Sequence, residues 1–210
     1  MKNESLFQVS TLADFQNKGY DGQTVIKTML EYGNTGFGTY HELNGEMIVL
    51  DGVAYRALGD CSVEVANLFD TTPFATLGFL EAGDDQILKV NGDMSQLMES
   101  LSKCTGNTEK FVLSKITGVF DIIEIHGVWS QQKPYEELDK IVSDQSILVL
   151  EKISGCLVGI YCPESVREMN VVGWHFHFLS ADKKIGGHVN DLSVGSLVVE
   201  YTIKEFLSVI

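Results

Sequence analysis

The stretch that decides the fold lies between residues 171 and 189 and reads VVGWHFHFLSADKKIGGHV. Its first part is rich in β-branched and aromatic residues, which are typical of a strand. Because side chains alternate between the two faces of a strand, His175 and His177 share one face. The other face carries aromatic side chains, namely Trp174, Phe176 and Phe178. The polar, turn-rich segment that follows would return the chain antiparallel, so the stretch predicts a β-hairpin with one buried aromatic face.

The same hairpin is a candidate metal site. His188 follows the turn after Gly186 and Gly187, and the returning strand would place it near the open face of His175 and His177. Three neutral imidazoles that leave coordination positions open are typical of catalytic zinc, whereas structural zinc sites have four protein ligands. A His-x-His pair alone also occurs as surface decoration or as a packed pair. The third histidine at hairpin distance favours zinc held by His175, His177 and His188.

The rest of the chain predicts an α+β fold that is rich in β-structure. Two short helices are expected at Leu12–Asn17 and Thr24–Tyr32, the second stopped by a left-handed Gly33. Asn44-Gly45 and Asp51-Gly52 are hairpin signals that propose three antiparallel strands. Apolar residues at helical spacing predict a helix over Asp93–Lys103. Further strands are expected at Phe74–Leu80, Phe111–Ile116, Gly118–Ile125, Ile147–Ile153, Cys156–Tyr161, Val171–Leu179 and Leu197–Ile203.

A polar segment, Thr105-Gly106-Asn107-Thr108, is the best candidate for a boundary between two halves. We therefore expect an N-terminal α+β half over residues 1–107. A C-terminal β-rich half over residues 108–210 would carry the metal site. Both halves would consist mainly of antiparallel or mixed sheet, with few helices in the second.

Composition limits the partners and the compartment of the chain. The net charge is −14, from 29 acidic and 15 basic residues, so neither nucleic acid nor an anionic membrane surface is an expected partner. No apolar segment is long enough for a transmembrane helix, and the amino terminus has no signal-peptide pattern. The four cysteines show no C-x-x-C spacing. We expect a cytoplasmic protein with reduced thiols that acts on a small-molecule substrate.

Six collinear blocks of sequence resemble the acetolactate decarboxylase family. The most specific is Gly173 to Val189, G-W-H-F-H-F-L-S-x-D-x-x-x-G-G-H-V, which resembles the zinc motif of that family. The other blocks are Phe7-Gln8-x-Ser10-Thr11-Leu12, Gly36-x-Gly38-Thr39-x-x-x-Leu43-x-Gly45-Glu46, Ile116-Thr117-Gly118-x-Phe120, Gln131-x-Lys133-Pro134-Tyr135 and Gly155-x-x-Val158-Gly159-x-Tyr161-x-Pro163.

The resemblance implies a fold, a reaction and a set of site residues. It implies a β-rich fold of two similar halves, a homodimer, and zinc-dependent removal of carbon dioxide from 2-acetolactate to give (R)-acetoin, without an organic cofactor. His175, His177 and His188 match the zinc ligands of the family. Glu46 matches its active-site glutamate, although a glutamate beside a turn is by itself usually a solvated surface residue.

Two departures from the family leave two functional hypotheses open. His126 stands where the family has an arginine, within a string whose proline is replaced by Trp129. We expect His126 to be a catalytic residue that binds the substrate carboxylate in place of the arginine, although a histidine offers fewer donors than a guanidinium and is charged only when protonated. The alternative is an ordinary strand histidine without a role. Family members also extend beyond the position of Ile210 and supply a carboxylate there, which we expect to be missing. The chain is then either a working decarboxylase or a weakened homologue that binds zinc or a small 2-hydroxy acid.

Overall fold

The computed structural model describes residues 4–81, 86–106 and 109–210. The helices are α1 (Leu12–Gln16), α2 (Ile26–Met29), α3 (Met94–Thr105) and α4 (Leu138–Ser143). The strands are β1 (Ser5–Val9), β2 (Thr24–Val25), β3 (Thr35–Thr39), β4 (Glu46–Leu50), β5 (Val53–Ala57), β6 (Val63–Val65), β7 (Thr71–Thr72), β8 (Ala75–Gly78), β9 (Gln86–Asp93), β10 (Phe111–Gly127), β11 (Ser146–Cys162), β12 (Gly173–Ser180), β13 (Gly186–Lys204) and β14 (Phe206–Val209). The prediction of a β-rich α+β fold with few helices is confirmed.

The first sheet has seven strands in the order β14-β1-β8-β3-β4-β5-β6. Its pairs are antiparallel except for β1 with β14, which is parallel. The hairpin between β4 and β5 turns at Asp51 and Gly52, which both have positive φ. A two-residue turn of this kind matches the twist of the flanking strands, so the Asp-Gly signal identified the hairpin correctly.

The second sheet closes on itself. Its order is β10-β11-β12-β13-β9, and β10 also pairs with β13, so the strands β10 to β13 form a small closed barrel. Helix α3 packs on this barrel through Leu97 and Leu101. The core includes Ile116, Phe120, Ile123, Leu157, Phe176, Phe178, Leu192 and Leu197. Of the aromatic face that the hairpin sequence predicts, Phe176 and Phe178 are buried inside the barrel, while Trp174 is half-buried and packs against the same core.

Two strands are continuous where the sequence predicted a break. Strand β10 runs through Gly118 and β11 runs through Gly155, and these two glycines are register partners. A Cβ atom on Gly118 would lie 2.6 Å from the Leu197 side chain, and one on Gly155 would lie 2.3 Å from the Phe178 ring. The glycines therefore make room for core side chains within long strands and do not end them.

The expected boundary near residue 107 does not separate the two sheets. Strand β9, from the first half of the chain, pairs with β13 in the barrel, and β14, at the end of the chain, pairs with β1. Part of the segment, residues 107 and 108, lies outside the described residues. The assignment of two halves stays a prediction. Each half contributes one strand to the sheet that is formed mainly by the other half, namely β9 and β14.

The second predicted helix differs from the structure at both ends. At its start, Thr24 and Val25 form strand β2. Helix α2 covers only Ile26–Met29 and continues as a 3-10 turn over Leu30–Tyr32. Gly33 follows with φ −177, which is extended backbone, so the prediction of a left-handed stop was wrong. The ideal Cβ position of Gly33 lies 2.6 Å from the backbone of Gly78, which shows that close packing requires the glycine. Among the described residues, none of the helices is long and apolar enough to span a membrane.

The start of α3 gives a first testable prediction. Asp93 caps the helix by accepting from the Gln96 backbone, while the Gln96 side chain accepts from the Asp93 backbone. Replacing a capping residue by alanine typically costs about 1 kcal/mol. We expect Asp93→Ala to lower the free energy of unfolding by that amount in urea titrations, and Asp93→Asn to retain most of it. Equal midpoints for Asp93→Ala and the unaltered protein would contradict this role.

Candidate metal centre

The candidate site lies between the barrel and the first sheet. In β11 and β12 the side chains alternate, so Leu157 and Phe176 enter the barrel core while Val158 and His177 face outward. The outward apolar side chains pack against the first sheet in a shared cluster that includes Phe37, Ile48, Leu113, Val158, Ile160 and Leu179. The histidines of β12 therefore point into the layer between the two sheets.

Three histidines converge in this layer. His177 and His188 are cross-strand partners of the hairpin formed by β12 and β13, and His175 is two residues before His177 on the same face. One nitrogen from each ring lies within 4.8 Å of the others. The Nε2 atom of His175 is 3.0 Å from Nδ1 of His188. The hairpin predicted from the sequence thus brings the three imidazoles together.

The first sheet fixes the orientation of His177. Its Nδ1 atom lies 3.0 Å from the carbonyl oxygen of Met47 on β4. A nitrogen bonded to a carbonyl carries the proton, which leaves Nε2 with its lone pair free. The ring of Phe37 is stacked on the His177 ring at 4.5 Å between centroids and lies at the same distance from the His175 ring. Neither Met47 nor Phe37 was predicted from the sequence to contact the histidines.

Burial keeps the three imidazoles neutral. It lowers the pKa of His175 and of His177 well below the usual value, and neighbouring histidines lower both further. Burial and the nearby His126 lower the pKa of His188 to about 4. Neutral imidazole is the form that binds a metal. The cluster is therefore ready to bind a cation near neutral pH.

The donor set fits zinc. In a tetrahedral zinc site with bonds of about 2.1 Å, ligand nitrogens are about 3.4 Å apart, so the cluster requires only small adjustments of the three rings. A second group, Asp21, His41 and Glu42, also brings potential ligands together. It suits a metal less well, because Asp21 already accepts from Lys133 at 2.6 Å and from Tyr135 at 2.8 Å. Of these two groups, the three histidines, of which His177 is buried and the other two are half-buried, match zinc better.

Glu46 lies beside the cluster. It is the first residue of β4, and one of its carboxylate oxygens, Oε2, is 3.9 Å from Nε2 of His177. Its side chain is only 12% exposed, and burial raises the pKa of Glu46 to about 8. The carboxyl group is therefore a proton donor near neutral pH. Strand β4 of the first sheet carries it to the histidines.

His126 is close to the cluster but bonded elsewhere. It is the cross-strand partner of His188, yet its Nε2 atom lies 3.1 Å from Oε1 of Glu124. Asn190 also donates to that carboxylate oxygen, at 2.6 Å. These two hydrogen bonds lower the pKa of Glu124. His126 is not among the described residues that line the cavity beside the three histidines. A catalytic role for His126 stays a prediction.

A cavity of about 240 Å³ opens onto the histidines and Glu46. Its walls are mainly apolar and come from both halves of the chain, including Leu12, Phe15, Phe74, Leu138 and Ile141. Helix α4, which forms one wall, was missed by the sequence analysis. The i, i+3, i+4 spacing of Leu138, Ile141 and Val142 is the signal that could have found it.

A buried polar network holds the segment before β12 in place. Gln8 is fully buried on β1, and its amide donates to the backbone of Ser10 and Met169. Asn170 donates to the Gln8 side chain at 2.7 Å and to Thr76 at 2.8 Å. Buried amides are stable only when such bonds are made. The network therefore positions the chain just before His175.

Known proteins share both sequence and fold with this chain. The profile of the alpha-acetolactate decarboxylase family matches residues 6–209. An alpha-acetolactate decarboxylase of Methanosarcina mazei is 35% identical over 192 residues, which are 91% of this chain and 67% of the relative. One of Bacillus licheniformis is 28% identical over 201 residues, or 96% of this chain and 79% of the relative.

Solved structures agree with the sequence relatives. Alpha-acetolactate decarboxylase of Bacillus subtilis superposes with a TM-score of 0.94 at 26% identity, covering 98% of this chain and 88% of that one. A Staphylococcus aureus protein described as similar to alpha-acetolactate decarboxylase gives a TM-score of 0.93 at 27% identity, with the same coverage of both chains. By sequence along nearly its whole length and by fold, the chain belongs to the alpha-acetolactate decarboxylase family.

Proposed function

We propose that this chain is a zinc-dependent decarboxylase that converts 2-acetolactate to (R)-acetoin and carbon dioxide. The observation that carries the proposal is the convergence of three neutral histidines and Glu46 on one apolar cavity. His175, His177 and His188 would hold the metal. Zinc bound there would supply a Lewis acid for the negative charge that develops as carbon dioxide leaves.

The chain's own residues can perform the remaining chemistry. Loss of carbon dioxide leaves an electron pair on the carbon that carried the carboxylate, and acetoin forms when that carbon gains a proton. In the metal-free protein burial raises the pKa of Glu46, and its carboxyl lies beside His177, so it is placed to deliver a proton from one fixed direction. The apolar walls exclude water, which would otherwise deliver the proton from either side. A fixed donor accounts for a single product enantiomer.

The direct test is the product. Zinc-loaded protein is incubated with racemic 2-acetolactate, and acetoin is quantified and its enantiomers are separated. Formation of (R)-acetoin supports the proposal, and absence of acetoin at every metal loading would refute it. The second candidate function, binding of zinc or of a 2-hydroxy acid without decarboxylation, is favoured by the pairing of His126 with Glu124. This second function predicts that calorimetry detects binding of zinc or of the 2-hydroxy acid while no acetoin is formed.

We propose a cytoplasmic location for the chain. Its cysteines are all free, and Cys61, Cys156 and Cys162 are buried. Unpaired thiols are the usual state of cysteine in a reducing compartment. The proposal is tested by fractionating cells of the source organism and following the protein with an antibody.

We also propose that the chain forms a homodimer. Residues 146–154 of β11 pair with β10 on one side, and among the described residues no strand pairs on the other. This free edge carries Ile147 and Val149, which are 63% and 55% exposed. An apolar strand edge of this kind is a template for pairing with another chain. A second copy of the strand would satisfy the backbone groups and cover the apolar side chains.

A charge on the edge is expected to disrupt the dimer. We expect Val149→Lys to shift the protein from dimer to monomer in sedimentation velocity at micromolar concentration, because it places a solvated cation in the interface. Val53→Lys is the matched control, since Val53 is exposed at the hairpin between β4 and β5. A monomeric unaltered protein, or a dimer that survives Val149→Lys, would contradict this interface.

A further inference from the structure

The cavity beside the histidines has few groups that could bind an anion. Neither lysine nor arginine is among the described residues that line it. The hydroxyl of Thr39 also lines the cavity, but it already donates to the carbonyl of Gly45 at 2.8 Å. An anion that enters an apolar site without hydrogen-bond donors loses its hydration and gains no hydrogen bonds, so its binding is unfavourable. A zinc ion held by the histidines would be occupied by the hydroxyl and ketone oxygens of the substrate, so the substrate carboxylate requires a separate donor.

Gln145 is the residue that offers one. Apart from the three histidines, it is the cavity-lining residue within the described chain whose side chain carries N–H groups. It lies just beyond the end of α4, and its backbone N–H donates to the carbonyl of Val142. That bond fixes the backbone, while the half-buried side-chain amide has no protein partner among the described residues. The amide is free to donate to a ligand.

The arrangement contrasts with that of His126. The His126 ring is already bonded to Glu124, whose carboxylate would repel a substrate anion brought close to it. Gln145, by contrast, lines the cavity together with Leu138, Ile141 and Val142 of the α4 segment. Apart from the Glu46 carboxyl, whose proton is assigned to the product, the polar end of a small ligand thus has the Gln145 amide as a neutral donor, and its alkyl groups have apolar walls.

We propose that Gln145 binds the carboxylate of the substrate, a small 2-hydroxy-3-oxo acid, through its side-chain N–H groups. The proposal rests on the proposed function and adds the group that orients the leaving carboxylate. A neutral amide holds a carboxylate less tightly than a guanidinium does. The carboxylate departs as uncharged carbon dioxide, so its hydrogen bond to the donor is lost during the reaction. A weaker bond to the carboxylate is less costly to break.

Binding of an unreactive analogue tests the proposal without turnover. In 2,3-dihydroxy-2-methylbutanoate an alcohol replaces the ketone of 2-acetolactate, so decarboxylation cannot occur, and its carboxamide is the uncharged counterpart. We expect calorimetry on zinc-loaded protein to show the acid binding about tenfold more weakly to Gln145→Leu. Gln145→Glu should lose about a hundredfold, because two carboxylates then repel. The carboxamide should change by less than about threefold in Gln145→Leu.

Control and kinetic measurements make the test specific. Gln16→Leu removes an exposed glutamine of α1 outside this cavity and should bind the acid like the unaltered protein. In turnover, Gln145→Leu should raise KM for 2-acetolactate more than it lowers kcat. Unchanged acid binding in both Gln145→Leu and Gln145→Glu, with folding verified by circular dichroism, would overturn the proposal. Failure of the unaltered protein to form acetoin would refute the decarboxylase alone, because acid binding still decides the role of Gln145.

Discussion

Replacing His177 by glutamine is expected to remove the metal and abolish decarboxylation. His177 is almost fully buried, and its Nδ1 atom is bonded to Met47, so only Nε2 is available as a ligand. Glutamine can preserve the bond to the Met47 carbonyl, but its amide is a poor zinc ligand. We expect zinc content to fall from about one ion per chain to below about one tenth. Acetoin formation should drop by on the order of a thousandfold or more, because the Lewis acid supplies several kcal/mol.

The control for this prediction comes from the second group of potential ligands. His41 lies in the exposed cluster with Asp21 and Glu42. We expect His41→Gln to keep zinc content and activity, since that cluster is already engaged by Lys133 and Tyr135. Metal content is measured by atomic emission after dialysis against metal-free buffer. If His177→Gln retains zinc and His41→Gln loses it, the metal is bound by the exposed cluster of Asp21, His41 and Glu42, and the proposal is refuted.

The parts of the site that the sequence predicts are local ones. His175, His177 and His188 lie within 14 residues of one another, so strand alternation and one turn are sufficient to bring them together. The Asp51-Gly52 hairpin is local in the same sense. In such segments the backbone pattern alone determines which side chains share a face.

The parts that the sequence does not predict depend on contacts between distant segments. Phe37 and Met47 orient His177 from the first sheet, and no periodicity shows which strand will face β12. Gly118 and Gly155 look like strand breaks until Leu197 and Phe178 are seen to occupy the space above them. A glycine that ends a strand and one that accommodates a neighbour have the same sequence signature.

His126 shows the limit of transferring a role by alignment. The register places it opposite His188, as an aligned arginine would be. The direction of its ring, however, is determined by Glu124 and by Asn190, which shares that carboxylate. Position along a strand fixes the Cα atom and the face, whereas local hydrogen bonds choose the rotamer. The role of His126 is therefore decided by kinetics of its variants and not by its place in the sequence.

Replacing Glu46 by glutamine is expected to stabilise the metal-free protein and inactivate the zinc-loaded one. Burial raises the pKa of Glu46 from 4.5 to about 8, so the unfolded chain loses the proton above pH 4.5 while the folded chain keeps it. Stability contributed by this group is complete below pH 4.5 and falls as the pH rises to about 8. Each pKa unit corresponds to about 1.4 kcal/mol, so the loss at pH 8 amounts to a few kcal/mol. Glutamine cannot ionise and removes this loss.

A comparison at two pH values isolates the effect of Glu46 from that of the histidines. The lowered pKa of His188, about 4, makes stability fall as the pH drops from 6.5 towards 4, in both proteins alike. In urea titrations of chelator-treated protein, Glu46→Gln should therefore exceed the unaltered protein by a few kcal/mol at pH 8 and by little at pH 5. Glu168→Gln, an exposed control, should shift neither value.

Activity should change in the opposite direction, because the amide that stabilises the fold cannot give up a proton to carbon. Loss of a positioned general acid costs about a hundredfold to ten-thousandfold, and we expect kcat for acetoin formation to fall within that range while zinc content is unchanged. A more stable and less active variant would show that the buried carboxyl is retained for chemistry at the expense of stability. If Glu46→Gln instead keeps full activity, the proton reaches the product from another donor and Glu46 has only a structural role.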